Sequence, residues 1–228
     1  MILRQCIKFN MNKITAIIPC RKGSTRLGFD KQLSNFAGTT LLDIKVNQLL
    51  NAKHIDNIIL STDDYNIFNR YNNKKIKVVE RDSNLLNVND ADSLVDVCLQ
   101  HVNKGNVLIT FCTNPFFNEY DSAIEKYYEE NCDSLLTARK VGSFIIDEEN
   151  KIINCDRKKE KWPRTQDLPS WFELDSCIEP IMSIDLMRSL HDRIGHRPYL
   201  YITDAIQSID IDYKKEWDLA EKLWKALN

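Results

Sequence analysis

The sequence predicts an α/β fold with a mostly parallel sheet flanked by helices. Three observations carry this. Short runs are apolar at nearly every position, as strands buried on both faces require. Longer runs place apolar residues three and four apart, as helices packed on one face require. The two kinds alternate as far as residue 139, the rhythm of repeated β-α-β units.

Residues 14–20 (ITAIIPC) form the first predicted strand, and 40–53 the first helix, with Leu41, Leu42, Val46, Leu49 and Leu50 near helical spacing. A second strand covers 55–62, a short helix 65–71 and a third strand 76–79. Asp90 is the expected cap of a helix running to about Val102, whose Leu94, Val97, Cys98 and His101 step by three and four. Residues 106–112 (NVLITFC) make a fourth strand, 121–131 a helix capped by Asp121, and 134–139 a fifth strand. Residues 140–172 then break the rhythm with a charged run, DRKKEK, and turn-forming prolines at Pro163 and Pro169. This stretch reads as an excursion from one core. Apolar runs at 177–184 and 199–202 return to the core, and a final helix begins near Lys214, with Trp217, Ala220, Leu223, Trp224 and Leu227 along one side. A single domain over 11–228 is expected, with residues 1–10 as an extension.

Composition narrows the function classes. The 228 residues carry 31 Lys and Arg against 33 Asp and Glu, a net charge of -2, which does not suit a general nucleic-acid or membrane binder. No apolar run approaches the about 20 residues of a spanning helix. The seven cysteines are scattered without a C-x-x-C pair, so neither a disulfide framework nor a zinc ribbon is expected. A reducing, cytoplasmic setting is the expectation.

Two segments carry chemistry. After the first strand, the 11 residues from Arg21 to Lys31 hold four cations (Arg21, Lys22, Arg26 and Lys31), two glycines (Gly23 and Gly28) and two hydroxyls (Ser24 and Thr25). In open α/β sheets, ligands bind beyond the carboxyl ends of strands. Glycines there let backbone N–H groups turn toward an anion, and Arg and Lys add forked donors and charge. The segment reads as a phosphate cradle or as a solvated basic turn. Phe29-Asp30 stands where a P-loop needs Lys-Ser/Thr. Near the other end lies Ser208-Ile209-Asp210-Ile211-Asp212. On an extended segment its two carboxylates point to one side and the isoleucines to the other. Such a pair suits Mg²⁺ with phosphate oxygens, or is an exposed edge with two unpaired acids.

With these residues the chain resembles the CMP-sugar-acid synthetases, the acylneuraminate cytidylyltransferases and the related CMP-Kdo enzymes. Ile18-Pro19-Cys20-Arg21-Lys22-Gly23-Ser24-Thr25-Arg26-Leu27 resembles their opening I-P-A-R-x-G-S-x-R-L. In order there follow Ser61-Thr62-Asp63, Arg81-Asp82, Thr113-Asn114-Pro115, Arg164-Thr165-Gln166-Asp167-Leu168-Pro169 and the closing Ser208 to Asp212. The resemblance spans about residues 13–227.

The resemblance implies a Rossmann-like nucleotidyltransferase fold, with a small dimerisation arm at about 140–172 and a homodimer. It implies transfer of CMP from CTP to a sialic-acid-like (nonulosonic) sugar acid, with Mg²⁺ and release of pyrophosphate. Arg21, Gly23, Ser24, Arg26, Arg81 and Thr113 are then expected at the nucleotide. Asp210 and Asp212 are expected at the metal and, with Arg21 and Lys31, in catalysis. Arg164, Gln166 and Asp175 are expected at the sugar acid, with Lys140 as the candidate second cation for its carboxylate. The chain departs from the family pattern in five places: Cys20 replaces Ala, Gly28 replaces Pro, Lys31 lies one residue late, Phe111-Cys112-Thr113-Asn114 replaces Q-P-T-S, and residues 175–179 (DSCIE) replace N-G-A-I-Y. Two alternatives share the fold: transfer to another acceptor such as a sugar 1-phosphate, and an inactive nucleotide-binding homologue.

Overall fold

The computed structural model describes residues 13–23, 26–81 and 92–227. The expectations for residues 1–10, Ser24, Asp82 and the Asp90 cap lie outside these residues.

Four strands build the parallel half of the sheet: β1 (Ile14–Cys20), β2 (Asn57–Thr62), β3 (Ile76–Glu80) and β4 (Asn106–Ile109). They lie in the order β3-β2-β1-β4, all pairs parallel. The other half is mixed. β7 (Ile181–Ser183) is antiparallel both to β4 and to β5 (Ser134–Val141), while β8 (Pro198–Thr203) runs parallel along the far edge of β5. β6 (Trp171–Leu174) extends the sheet as an antiparallel partner of the outer end of β5. Among the described residues this makes one eight-stranded, mixed sheet.

The pleat of β1 explains the layering. Ile14, Ala16, Ile18 and Cys20 face one apolar cluster and Ile17 the other, the period of two expected of a strand. The first cluster receives α1 (Leu41–Asn51), α2 (Tyr65–Phe68) and α4 (Tyr120–Glu129). The second receives α3 (Asp92–His101) and α5 (Ile184–Leu190). Helix α1 starts at Leu41 because Thr40 Oγ1 accepts the Asp43 N–H at 3.0 Å and donates to the Asp43 carboxylate at 2.8 Å. No helix among the described residues is long and apolar enough to cross a membrane.

Some expectations are corrected. Asp121 does not cap α4; the N-cap is Glu119, without a side-chain bond. The Asp121 carboxylate instead accepts the Lys53 and His54 N–H groups at 3.1 and 3.0 Å, tying down the chain just after α1. Helix α5 was hidden inside an apolar run; Ser183 caps it by accepting the Leu186 N–H at 3.1 Å. The fourth strand ends at Ile109, short of its expected end; the Thr110 N–H still donates to the Ile17 carbonyl at 3.1 Å, and its hydroxyl turns to the Cys177 carbonyl at 2.7 Å.

The final helix, α6 (Lys214–Leu227), seals the carboxyl end of the parallel strands. Trp217 meets Phe29 and Phe36 edge-on, with ring centroids 5.1 and 5.2 Å away. Leu27, Cys112 and Ile211 fill the same cluster. Of the stripe expected on this helix, Trp217, Ala220 and Trp224 pack into this cluster and join the loops, while Leu227 is exposed. Trp217→Ala should cost about 3–5 kcal/mol of stability in urea denaturation. A loss below about 1 kcal/mol would show that α6 does not hold these loops together.

Candidate active site

Four strand ends converge on the site. β1 leads into the basic loop, where Gly23 and Gly28 take φ of 78° and 74°, a region that side chains with a Cβ avoid. The Asp30 carboxylate accepts the Gln32 N–H at 3.0 Å, and the Gln32 amide donates to the Arg21 carbonyl at 2.8 Å. These bonds fold the loop back on itself. The next strand end fixes it from the side, since the Lys22 N–H donates to Asp63 at 2.6 Å.

At the end of β3, the Arg81 N–H donates to the Thr62 carbonyl at 2.8 Å, and its side chain is buried. The Arg81 Nε is enclosed without an acceptor. Burial pushes this guanidinium below its ordinary pKa; the Asp63 carboxylate opposes that and the Arg21 charge adds to it. Arg81 thus lies within electrostatic reach of both the Asp63 carboxylate and the Arg21 guanidinium.

The acidic pair faces this basic loop across a cavity of about 300 Å³, lined by Arg26, Lys31, Thr113, Ser176, Asp210 and Asp212 among others. Residues 209–212 are not a strand; they form a loop pinned where the Ile211 N–H donates to the Thr113 carbonyl at 3.0 Å. Ile211 is buried beneath that loop, as its side of the pattern requires. Asp212 pairs with the Arg26 guanidinium and, at 3.0 Å, with Lys31 Nζ. Lys31 also donates to the Ile211 carbonyl at 3.2 Å, so it reaches the acidic pair in spite of its late position. Asp210 is held above the usual carboxylate range by burial first and by the neighbouring Asp212 charge, with a Thr113 hydrogen bond opposing. Its Oδ1 is enclosed without a partner.

These two carboxylates are the oxygen donors offered to a hard cation. Among the described residues, no group of three or more His, Cys, Asp or Glu could hold a metal ion. A cation here would have to complete its shell with substrate oxygens and water, the coordination typical of Mg²⁺.

A second cavity of about 170 Å³ adjoins the first and shares Ser176 and Asp210 with it. Arg139, Glu173, Asp175 and Ser208 line it. Asp175 is buried and accepts from Thr203 Oγ1 at 2.5 Å and from the Cys177 N–H at 3.1 Å. Lys140, the cation proposed from the sequence, does not line this cavity; its neighbour Arg139 does, because successive strand residues face opposite sides.

Arg164 and Gln166 line neither cavity. Both are exposed on the segment joining β5 to β6, and Arg164 is paired with Asp167 at 2.6 and 3.2 Å. That segment carries exposed Ile146, Ile153 and Trp162, and the adjoining β6 exposes Trp171, Phe172 and Leu174.

Sequence reasoning missed Lys45. It sits on the apolar face of α1, fully buried, where its Nζ donates to the Asn114 carbonyl at 2.9 Å and to the Tyr120 hydroxyl at 2.6 Å. The Asn114 amide donates in turn to the Ile209 carbonyl at 3.3 Å. Lys45 thus supports both Thr113-Asn114 and the acidic loop from below. The legible signal was a lysine among Leu41, Leu42, Val46 and Leu49. Burial brings its pKa down to about 8, against opposing contributions from Cys177 and Cys112.

The family described as Cytidylyltransferase matches residues 15–223. Pseudaminic acid cytidylyltransferases of two Campylobacter jejuni strains, serotypes O:2 and O:23/36, are 26% and 28% identical; each alignment covers 75% of this chain and 86% of the relative. Among solved structures, 4-diphosphocytidyl-2C-methyl-D-erythritol synthase from Anaerococcus prevotii superposes with a TM-score of 0.68 at 17% identity, over 93% of this chain and 96% of that one. CMP:2-keto-3-deoxy-manno-octonic acid synthetase, solved with CTP, gives 0.68 at 13% identity, over 95% and 100%. These two likenesses show the Rossmann-like nucleotidyltransferase fold.

The buried lysine makes stability depend on pH. Between the folded value of about 8 and the unfolded value of 10.5, the unfolded chain holds more of this proton, so stability rises with pH across that window. Relative to Lys45→Met, the wild type should gain up to about 1.4 kcal/mol per pH unit there. Parallel stability curves for the two proteins would exclude a buried, titrating Lys45.

Proposed function

The chain belongs to the cytidylyltransferase family, and on that premise we propose that it transfers CMP from CTP to a hydroxyl of a nonulosonic sugar acid of the pseudaminic acid type, releasing pyrophosphate. One observation carries this reading: Arg26, Lys31, Asp210 and Asp212 line one cavity that shares Ser176 and Asp210 with a second, separately charged one. A reaction joining a nucleotide to a sugar acid needs two such adjoining compartments. The names of the curated relatives support the choice of acceptor.

The residues divide the work as follows. Arg21, Arg81 and the loop backbone at Gly23 bind the triphosphate, with Thr113 beside the nucleotide. Arg26 and Lys31 exchange Asp212 for phosphate oxygens when CTP enters. Asp210 and Asp212 would hold Mg²⁺, which would supply charge neutralisation and Lewis acidity there. The acceptor hydroxyl gives its proton to solvent water and bonds to the α-phosphorus, while the bond from that phosphorus to the bridging β-phosphate oxygen breaks and its electron pair leaves with pyrophosphate. The negative charge that grows on departing pyrophosphate meets Arg21, Arg26 and Lys31, which need little reorganisation to stabilise it. Asp175, through Thr203 and the Cys177 N–H, fixes the turn that borders the acceptor cavity.

The exposed apolar residues of the 140–172 excursion and β6 suit pairing of two copies as a homodimer. In that arrangement Arg164 and Gln166 of one copy serve the acceptor cavity of the other, and the Arg164 fork exchanges Asp167 for the substrate carboxylate.

Asp212→Asn should lower kcat for pyrophosphate release by about 10²-fold or more. Its melting temperature should barely move, since the ion pairs it loses are partly exposed. Retention of most activity would remove Asp212 from the reaction. Arg164→Ala should raise the KM for the sugar acid about tenfold and leave that for CTP alone; a selective rise in the CTP value would contradict its assignment.

A further inference from the structure

The second cavity has a charge pattern that a plain sugar acid does not satisfy. Arg139 and Glu173 stand directly opposite each other across the antiparallel β5–β6 pair, and Arg139 Nη2 donates to Glu173 Oε2 at 2.5 Å. Their side chains are 47% and 59% exposed. An ion pair so open to water adds little to stability, so either partner can exchange its contact at little cost. Both residues nonetheless line the cavity that contains Asp210.

Two further atoms point into the same place. Ser208 Oγ and Asp210 Oδ1 are each enclosed without a hydrogen-bond partner, and both residues line this cavity. Unsatisfied buried polar atoms are costly and rare, and here both belong to residues that line one small cavity.

The balance of charge then selects the ligand. One guanidinium, Arg139, faces three carboxylates: Glu173, Asp175 and Asp210. The Asp175 oxygens already accept from Thr203 and Cys177. Asp210 is committed to the shared wall with the nucleotide cavity. An incoming carboxylate finds its natural partner in Arg139, whose fork can take it side-on. That contact draws Arg139 away from Glu173 and leaves a carboxylate facing the bound substrate. A cationic nitrogen on the same molecule compensates it.

Resting on the reading of the chain as a sugar-acid cytidylyltransferase, we propose that the Arg139–Glu173 pair selects acceptors bearing both a carboxylate and a basic amine-type nitrogen. Arg139 meets the carboxylate as a second cation beside Arg164 of the other copy, and Glu173 takes the nitrogen.

The test compares CMP transfer from CTP to pseudaminic acid in its N-acylated form and to the analogue with one acyl group removed to leave a free amine. The full chain is used as wild type, Arg139→Ala, Arg139→Lys and Glu173→Gln. In the wild type, kcat/KM for the amine should exceed that for the N-acylated acceptor by about tenfold or more. Glu173→Gln should bring the ratio close to one. Arg139→Ala should raise the KM for both acceptors about tenfold and leave the KM for CTP within about twofold. Arg139→Lys keeps the charge without the fork and should fall between, which preserves the test if the alanine variant is unstable.

Equal use of the two acceptors by the wild type, or a preference that survives in Glu173→Gln, would overturn the selection by Glu173. An unchanged acceptor KM in both Arg139 variants would overturn the carboxylate contact. Either result leaves the parent reading standing. Failure to form any CMP product from either acceptor, while CTP still raises the melting temperature, would instead overturn the parent reading and the inference with it.

Discussion

The site depends on holding two oppositely charged loops, from the two ends of the chain, against each other at the carboxyl edge of one sheet. Arg26 and Lys31 come from the loop after β1; Asp212 lies just before α6, and its ion pairs span most of the sequence. Attraction between partly exposed charges is too weak to fix such a geometry alone. The apolar cluster of Leu27, Phe36, Ile211 and Trp217 underneath does the holding. Packing therefore sets the distance, and charge sets what can enter. In the proposed reaction an arriving triphosphate would compete with Asp212 for the same two cations, and a divalent cation would compete with those cations for Asp212, so the two exchanges would favour each other.

The floor of the site is polar and buried, which is unusual for a helix-to-sheet contact. Among the described residues no carboxylate is paired with Lys45; a carbonyl and a hydroxyl accept from it. These bonds hold Asn114, whose amide donates to the backbone next to Asp210. The acidic loop thus rests on buried hydrogen bonds, while the cations paired with Asp212 are partly exposed. The acceptor side is built differently, with an open ion pair at its rim and its proposed carboxylate ligand, Arg164, on an excursion away from the cavity.

Much of this was legible in the sequence, for physical reasons. Strands buried on both faces and helices with one apolar side leave strong periodic signals, so β1 to β4 and α1 were placed correctly in type and order. The basic loop and the acidic pair were visible because their compositions are unusual. Information set by tertiary context was not visible. The insertion of antiparallel β7 between β4 and β5 depends on pairing across the chain. Asp121 has the residue type of a cap, yet its carboxylate binds the N–H groups of another loop. Choosing Lys140 over Arg139 was an error of one residue, which in a strand is an error of face. Lys45 hid because a lysine within a helix is normally read as solvated.

The account stands most directly on the identity of the transferred group. Phosphorus NMR of the protein with CTP, Mg²⁺ and pseudaminic acid would follow every phosphate at once. The expected result is the loss of CTP with growth of a pyrophosphate signal and of a phosphodiester signal in equal amounts, and none with ATP or GTP in its place. Hydrolysis of CTP without a phosphodiester product, or equal transfer from another nucleotide, would contradict it.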